Sequence, residues 1–174
     1  MLPDLTLIIG GAASGKSDFA EGLVTSCGND KIYLATAQAH DGEMVAKINR
    51  HQKSRGSGWR TIEAPLDPAP ALASATANDV VLLDCATLWL TNQLMAKSDL
   101  EAASRTLLTA LAACKAPVVV VSNEVGAGIV PQNALARQFR EAQGRLNQSL
   151  ASQAGLAVMV IAGLPMVLKG TLPT

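Results

Sequence analysis

Five short apolar runs punctuate the chain, at residues 5–9, 32–35, 80–83, 118–121 and 158–161, and longer, more polar stretches separate them. The runs are rich in β-branched residues, as in Val80-Val81-Leu82-Leu83 and Val118-Val119-Val120-Val121. They are continuous rather than alternating, the pattern of strands buried on both faces of a parallel sheet. Helical periodicity occupies the gaps, with candidate helices over 16–26, 42–54, 100–113 and 133–154. In the last of these Leu135, Phe139, Leu146 and Leu150 form an apolar stripe flanked by Arg137, Arg140 and Arg145. Strand and helix in alternation predict an α/β fold, a mostly parallel sheet with helices on both faces. Pro65, Pro68 and Pro70 mark a break, and Pro117 punctuates the entry to the fourth run. No repeat or low-complexity segment divides the chain, so residues 1–174 read as one domain.

In an open parallel sheet, ligands sit beyond the carboxyl ends of the strands. Chemistry is therefore expected just after each apolar run. The first run leads into Gly10-Gly11-Ala12-Ala13-Ser14-Gly15-Lys16-Ser17, which has the spacing G-x-x-x-x-G-K-S, and a candidate helix follows. A strand, such a loop and a helix let backbone N–H groups wrap a triphosphate while Lys16 reaches the β- and γ-phosphates. The Ser17 hydroxyl is then placed to ligate Mg²⁺. The chain reads as a P-loop nucleotide-binding domain. Three further places qualify: Thr36 to Asp41, Asp84, and Ser122-Asn123-Glu124. Asp84, closing the third run, is a second candidate Mg²⁺ contact, with helix capping as the structural alternative. Glu124 precedes Val125-Gly126-Ala127-Gly128-Ile129-Val130-Pro131. It either positions a nucleophile or the metal, or only organises this glycine-containing turn.

His51 raises a different possibility. On a helix Met44, Ile48, His51 and Arg55 share one face through three- and four-residue steps. A lone histidine on such a face is commonly structural. Here Lys47, Arg50, Lys53 and Arg55 surround it with charge that suits nucleotide phosphates. Neutral imidazole is a competent nucleophile at phosphorus, and a phosphoramidate splits one transfer into two easier steps.

Composition narrows the partners. Apolar residues make up 49% and charged residues 16%, and the formal net charge is zero. That balance gives no electrostatic reason to expect nucleic acid or an anionic membrane surface. No stretch is long enough for a membrane span, and Met1-Leu2-Pro3-Asp4 does not resemble a signal peptide. Cys27, Cys85 and Cys114 lack both even number and C-x-x-C spacing. They read as plain thiols in a reducing cytoplasm.

The motifs taken together resemble a known family. They begin with Gly-Gly-x-x-Ser-Gly-Lys-Ser at Gly10, then Tyr33-Leu34-Ala35-Thr36-Ala37 and Glu43-Met44 with Lys47-Ile48-x-x-His51. Arg55, Trp59, Thr61 and Glu63 follow, then Leu82-Leu83-Asp84-Cys85 and Trp89-Leu90-Thr91-Asn92. Asn123-Glu124-Val125-Gly126-x-Gly128-Ile129-Val130-Pro131, Arg137, Phe139-Arg140 and Gly144-Arg145-x-Asn147-Gln148 complete the set. Over nearly its whole length the chain is similar to the bifunctional adenosylcobinamide kinase/adenosylcobinamide-phosphate guanylyltransferases of cobalamin biosynthesis.

The resemblance implies a RecA-like P-loop fold, a homotrimer and a cytoplasmic enzyme with two reactions. ATP or GTP phosphorylates adenosylcobinamide. GTP then donates GMP to the resulting phosphate, giving adenosylcobinamide-GDP. It assigns His51 as the guanylyl carrier and Lys16 as the other catalytic residue. It places Gly10, Gly11, Ala12, Ala13, Ser14, Gly15, Lys16, Ser17, Ala35, Thr36, Ala37, Gln52, Lys53, Ser54, Arg55, Glu63 and Asp84 against nucleotide. Mg²⁺ falls to Ser17 and Asp84. Two positions depart from the pattern: Ala13 stands where many relatives have Arg, and Lys47 where Arg is common, which keeps charge but loses bidentate geometry. A simple P-loop small-molecule kinase and a nucleotide-operated switch are the competing readings. A kinase alone would carry no covalent GMP, and a switch would have no corrinoid affinity.

Overall fold

A computed structural model describes residues 1–38 and 57–173. The helix expected over 42–54 lies outside the described residues. The apolar runs become strands β1 (Leu5–Gly10), β2 (Asp30–Ala35), β4 (Asp79–Asp84), β5 (Val118–Asn123) and β6 (Leu156–Ile161). Each extends one or two residues beyond its apolar run. Two further strands, β3 (Trp59–Glu63) and β7 (Leu164–Lys169), complete a seven-stranded sheet of order β3-β2-β4-β5-β1-β6-β7. All neighbouring pairs are parallel except β6 with β7.

The two extra strands are the sheet's edges, which explains why the pattern of apolar runs did not reveal them. An edge strand buries little, so its side chains need not be continuously apolar. Arg60, Thr61 and Glu63 are exposed in β3, and every residue of β7 is exposed. Pro165 interrupts β7, a residue that sheets admit on edge strands because it cannot donate to a ladder. The β6–β7 hairpin turns at Ala162 (φ 52°) and Gly163 (φ 77°), two positive values as in type I′ turns.

Five helices are found among the described residues: α1 (Lys16–Thr25), α2 (Ala69–Ser74), α3 (Ala86–Met95), α4 (Leu100–Ala113) and α5 (Ala134–Gln153). The short α2 begins directly after Pro68, within the proline-marked break. Helices α4 and α5 start at Asp99 and Asn133, whose side chains each accept two backbone N–H bonds of the first turn.

The pleat sends alternate strand residues to two separate cores. On one face Leu5, Leu7, Leu34, Leu83, Val118 and Val120 pack with Leu72, Trp89, Leu107, Leu146 and Leu150 of α2 to α5. On the other, Ile8, Leu82, Val119, Val121 and Val158 pack with Ala20, Leu23 and Val24 of α1. Each fully buried Leu, Val or Ile contributes roughly 1.5–3 kcal/mol, which explains why these strands tolerate almost no polar residue until they reach their ends. The sheet is thus covered by helices on both faces, and its polar positions collect at one edge.

Candidate active site

The strand register gathers the sites predicted to follow the apolar runs. Gly10 pairs with Asn123, Asp84 with Ala35, and Ala35 with Glu63, so the carboxyl ends of β1, β5, β4, β2 and β3 lie side by side. Strand β5 lies between the loop-bearing β1 and the acid-bearing β4. Neighbouring strands are about 4.8 Å apart, so the loop and Asp84 face each other across one strand.

Residues 10–17 form a loop whose shape is set by the main chain. Ala13 has φ 54° and Gly15 has φ 88°, both in the left-handed region. At Gly10 an added Cβ would lie 2.5 Å from Ser14 Oγ and 2.6 Å from the Val160 carbonyl, so glycine is required by space alone. Helix α1 starts immediately after Gly15 with no side-chain cap. Its first-turn N–H groups are therefore available to an anion, and the helix dipole favours negative charge there. Lys16 Nζ donates to the Gly11 carbonyl at 3.0 Å, which bends the ammonium back over the loop. The Ser14 Oγ is shut from solvent without a hydrogen-bond partner, while the Ser14 carbonyl accepts from Gly163 N–H at 2.8 Å. The β6–β7 turn thus buttresses the loop. This support was missed in the sequence, although Ala162-Gly163 between Ile161 and Leu164 carries the signature of a tight hairpin.

Asp84 ends β4 half-buried, and its Oδ2 accepts from the Tyr33 hydroxyl at 3.2 Å. Ser17, Asp84 and nucleotide phosphates would make an all-oxygen donor set. That fits Mg²⁺, which takes one or two protein oxygens and otherwise water and phosphate.

Thr36 is buried, and its hydroxyl is committed to the strand end beside Asp84. It donates to the Cys85 carbonyl and accepts from Cys85 N–H, each at 2.8 Å. Asn92 on α3 donates to the Thr36 and Pro65 carbonyls, fixing the chain after β2 against the chain after β3. Ala35 and Ala37 flank this bracket half-buried, and Glu63 is exposed at the end of β3. Burial, reinforced by the neighbouring Asp84 charge, pushes the Cys85 thiol up to about 11, so it stays protonated and inert at neutral pH. At Glu124 the N–H donates to the Gly10 carbonyl at 3.0 Å, and Oε1 accepts from Gly126 N–H within the turn that follows β5.

His51, Gln52, Lys53, Ser54 and Arg55 lie outside the described residues. A cavity of about 870 Å³ at the far end of α1, lined by Leu2, Phe19, Leu23, Cys27 and Leu172 among others, holds no Asp, Glu, Lys, Arg or His. It is not part of the site.

Comparisons with known proteins agree with this geometry. Among solved structures, the RadB recombinase superposes with a TM-score of 0.51 at 17% identity, covering 91% of this chain and 74% of its own. An ATPase of a bacterial type III secretion system gives 0.55 at 14%, covering 94% and 56%. These likenesses establish a P-loop ATPase-type fold and no more. The chain is 44% identical over 167 residues to the bifunctional adenosylcobalamin biosynthesis protein CobP of Pseudomonas aeruginosa, covering 94% of this chain and 96% of that protein. It is 38% identical over 182 residues to the bifunctional adenosylcobalamin biosynthesis protein CobU of Escherichia coli, covering 95% and 99%. The family model described as cobinamide kinase / cobinamide phosphate guanyltransferase matches residues 6–168. By its phosphate loop, its acid at the end of β4 and this near-complete match, the chain belongs to the cobinamide kinase/cobinamide phosphate guanyltransferase family.

Proposed function

We propose that this chain phosphorylates adenosylcobinamide with ATP or GTP and then transfers GMP from GTP to adenosylcobinamide phosphate. The family match over residues 6–168 supports both activities, and the observation that carries the site is the loop. Its left-handed Gly15, uncapped α1 and folded-back Lys16 form a receptor for a triphosphate at the sheet's carboxyl edge.

In the first reaction the acceptor hydroxyl oxygen bonds to the γ-phosphorus, the bond to the β–γ bridging oxygen breaks, and the hydroxyl proton is lost. A nucleoside diphosphate leaves. Residues 10–17 hold the phosphates, and the Lys16 ammonium offsets charge that builds on the bridging and γ-oxygens. Ser17 and Asp84 would hold Mg²⁺, which when bound with nucleotide neutralises phosphate charge. In the second reaction a His51 ring nitrogen attacks the α-phosphorus of GTP and pyrophosphate leaves. An oxygen of adenosylcobinamide phosphate then displaces the imidazole, giving adenosylcobinamide-GDP. His51 must be neutral to attack, and Gln52, Lys53, Ser54, Arg55 and Glu63 would contact the nucleotide. The motif Lys47-Ile48-x-x-His51 supports this assignment.

Family likeness also supports a cytoplasmic homotrimer whose active site draws on two subunits. No helix among the described residues is long and apolar enough to cross a membrane.

The decisive experiment incubates the protein with adenosylcobinamide, ATP and GTP and reads the corrinoid product by mass. Adenosylcobinamide-GDP is expected. Radiolabelled GTP should leave alkali-stable, acid-labile GMP on the denatured protein, and His51→Ala should carry none. A labelled His51→Ala protein would exclude this residue as carrier, and an unlabelled parent that still makes adenosylcobinamide phosphate would leave only a kinase.

A further inference from the structure

Two motif segments that neither reaction above has used meet at the carboxyl edge of the sheet. One is the connection between β5 and α5, which begins Glu124-Val125-Gly126-Ala127-Gly128-Ile129-Val130-Pro131. The other is the pair Arg137 and Arg140, in the first turns of α5. Arg137 Nη1 donates to the Pro131 carbonyl at 2.9 Å and to the Gln132 carbonyl at 2.6 Å. Arg140 Nη2 donates to the Gly126 carbonyl. These ties fall on either side of residues 127–130 and fasten the connection to the helix that follows it.

What the ties hold out is apolar. Ile129 is 97% exposed and Val130 64%. No residue between Glu124 and Arg137 carries a charge. Apolar residues exposed singly are ordinary on a protein surface. An adjacent pair on a loop that side chains hold in one shape is different, because the cost of ordering a contact surface has been met before any ligand arrives. The two guanidinium groups are engaged with loop carbonyls, so the surface suits a neutral, apolar ligand better than a polyanion. The connection also leaves from the site itself. Gly10 pairs with Asn123, and the Glu124 N–H bond to the Gly10 carbonyl sets the start of the connection beside the start of the phosphate loop.

We propose that Ile129 and Val130 form the acceptor platform of this enzyme and contact the corrin ring of adenosylcobinamide, with Arg137 and Arg140 as positioning residues. The inference rests on the functional reading above and names where its larger substrate sits. A triphosphate held by residues 10–17, with its metal on Asp84, directs its terminal phosphoryl group towards the end of β5, the strand between them. An acceptor hydroxyl attacks in line from beyond that group, so the body of the acceptor lies over the connection that follows β5. A corrin is a broad macrocycle edged with methyl groups and neutral amides, and it matches an uncharged loop with an aliphatic tip. The phosphate loop reads phosphates, and this surface chooses what receives one.

The test measures equilibrium binding of adenosylcobinamide by its visible absorbance, the kinetics of its phosphorylation, and the affinity for magnesium ADP. Ile129→Ser combined with Val130→Ser should weaken corrinoid binding and raise its KM about tenfold, the scale of two aliphatic side chains losing part of a buried contact, with kcat and ADP affinity within about twofold. Ile129→Leu, which keeps the apolar tip, should stay near the parent. Arg137→Met should raise the same KM by a smaller factor without lowering kcat, and Arg137→Lys should recover part of the loss. Met95→Ser, which removes an exposed apolar residue at the far end of α3, should change neither constant. An unchanged KM in the double variant, or a loss shared equally with ADP, would overturn the proposal and leave the functional reading standing. A change of oligomer size in the double variant, read by light scattering, would overturn it too, by showing that the pair packs against a second copy. A parent that neither binds nor phosphorylates the corrinoid would overturn both.

Discussion

The phosphate loop and the end of β5 sit one strand apart, yet they are shaped by different means. The loop owes its form to backbone conformation: Gly15 in the left-handed region, no room for a side chain at Gly10, and the folded-back Lys16. The β5 end is held by side chains that come from far along the chain, Thr87, Gln143 and Asn147. Backbone shaping presents many N–H groups at once, which suits an anion with several charged oxygens. Side-chain shaping instead fixes one strand end between two helices, which suits holding a single residue in place. The difference teaches that one sheet edge combines a locally coded surface with a position held from far along the chain.

The largest break in this comparison comes from the one loop residue that acts by its side chain. Lys16→Ala leaves the backbone cradle intact and removes the charge that follows the phosphoryl group. Corrinoid phosphorylation under saturating nucleotide should fall by about 10²–10³-fold, the usual cost of deleting one preorganised donor to transition-state charge. Nucleotide should still bind, more weakly. A variant with nearly full turnover would mean the loop works through its backbone alone.

A smaller effect tests the backbone itself. Gly10→Ala places a methyl group against Ser14 Oγ and the Val160 carbonyl, and the latter belongs to a buried strand that cannot yield cheaply. Overpacking of this kind costs about 1–3 kcal/mol. Thermal unfolding should report that loss, and affinity for tri- and diphosphate should fall together, because both use the cradle. A selective loss of the triphosphate would erase the distinction drawn between the two regions.

The same distinction explains what was legible in the sequence. Gly10, Gly15, Lys16 and Ser17 announce a loop because backbone shaping is local and leaves a fixed spacing. Asp84 was legible as the polar end of an apolar run, and the helix expected over 100–113 has those bounds in the structure, with Asp99 capping its start. The β5 end was legible only as a place. Its partners lie 20 or more residues away: Asn147 falls in the motif Gly144-Arg145-x-Asn147-Gln148, yet neither it nor Gln143 announces a pairing with β5. Long-range side-chain pairing leaves no spacing to read. Strands β3 and β7 escaped for a related reason, since edges answer to register with a neighbour rather than to burial. His51 was singled out by its charged surroundings and the family motif, not by geometry.

Side-chain fixation without chemistry offers the control, and the smallest effect. At the opposite end of β4, Asp79 Oδ2 accepts from Thr76 N–H at 2.8 Å and from Thr76 Oγ1 at 2.7 Å. These bonds, the backbone one foremost, and then the more distant Arg60 hold the Asp79 carboxyl below its ordinary value. A carboxylate with a depressed folded value stabilises the protein above the unfolded value of about 4, and that contribution disappears as pH falls through the folded value. Asp79→Asn should therefore flatten the acid limb of the stability profile below about pH 4. At neutral pH it should cost no more than the ~1 kcal/mol of a typical hydrogen bond. Nucleotide affinity, and above all the ratio of tri- to diphosphate, should be untouched, because Asp79 lies at the far end of the strand that ends in Asp84. If that ratio moved with Asp79, strain would be travelling along β4 into the site.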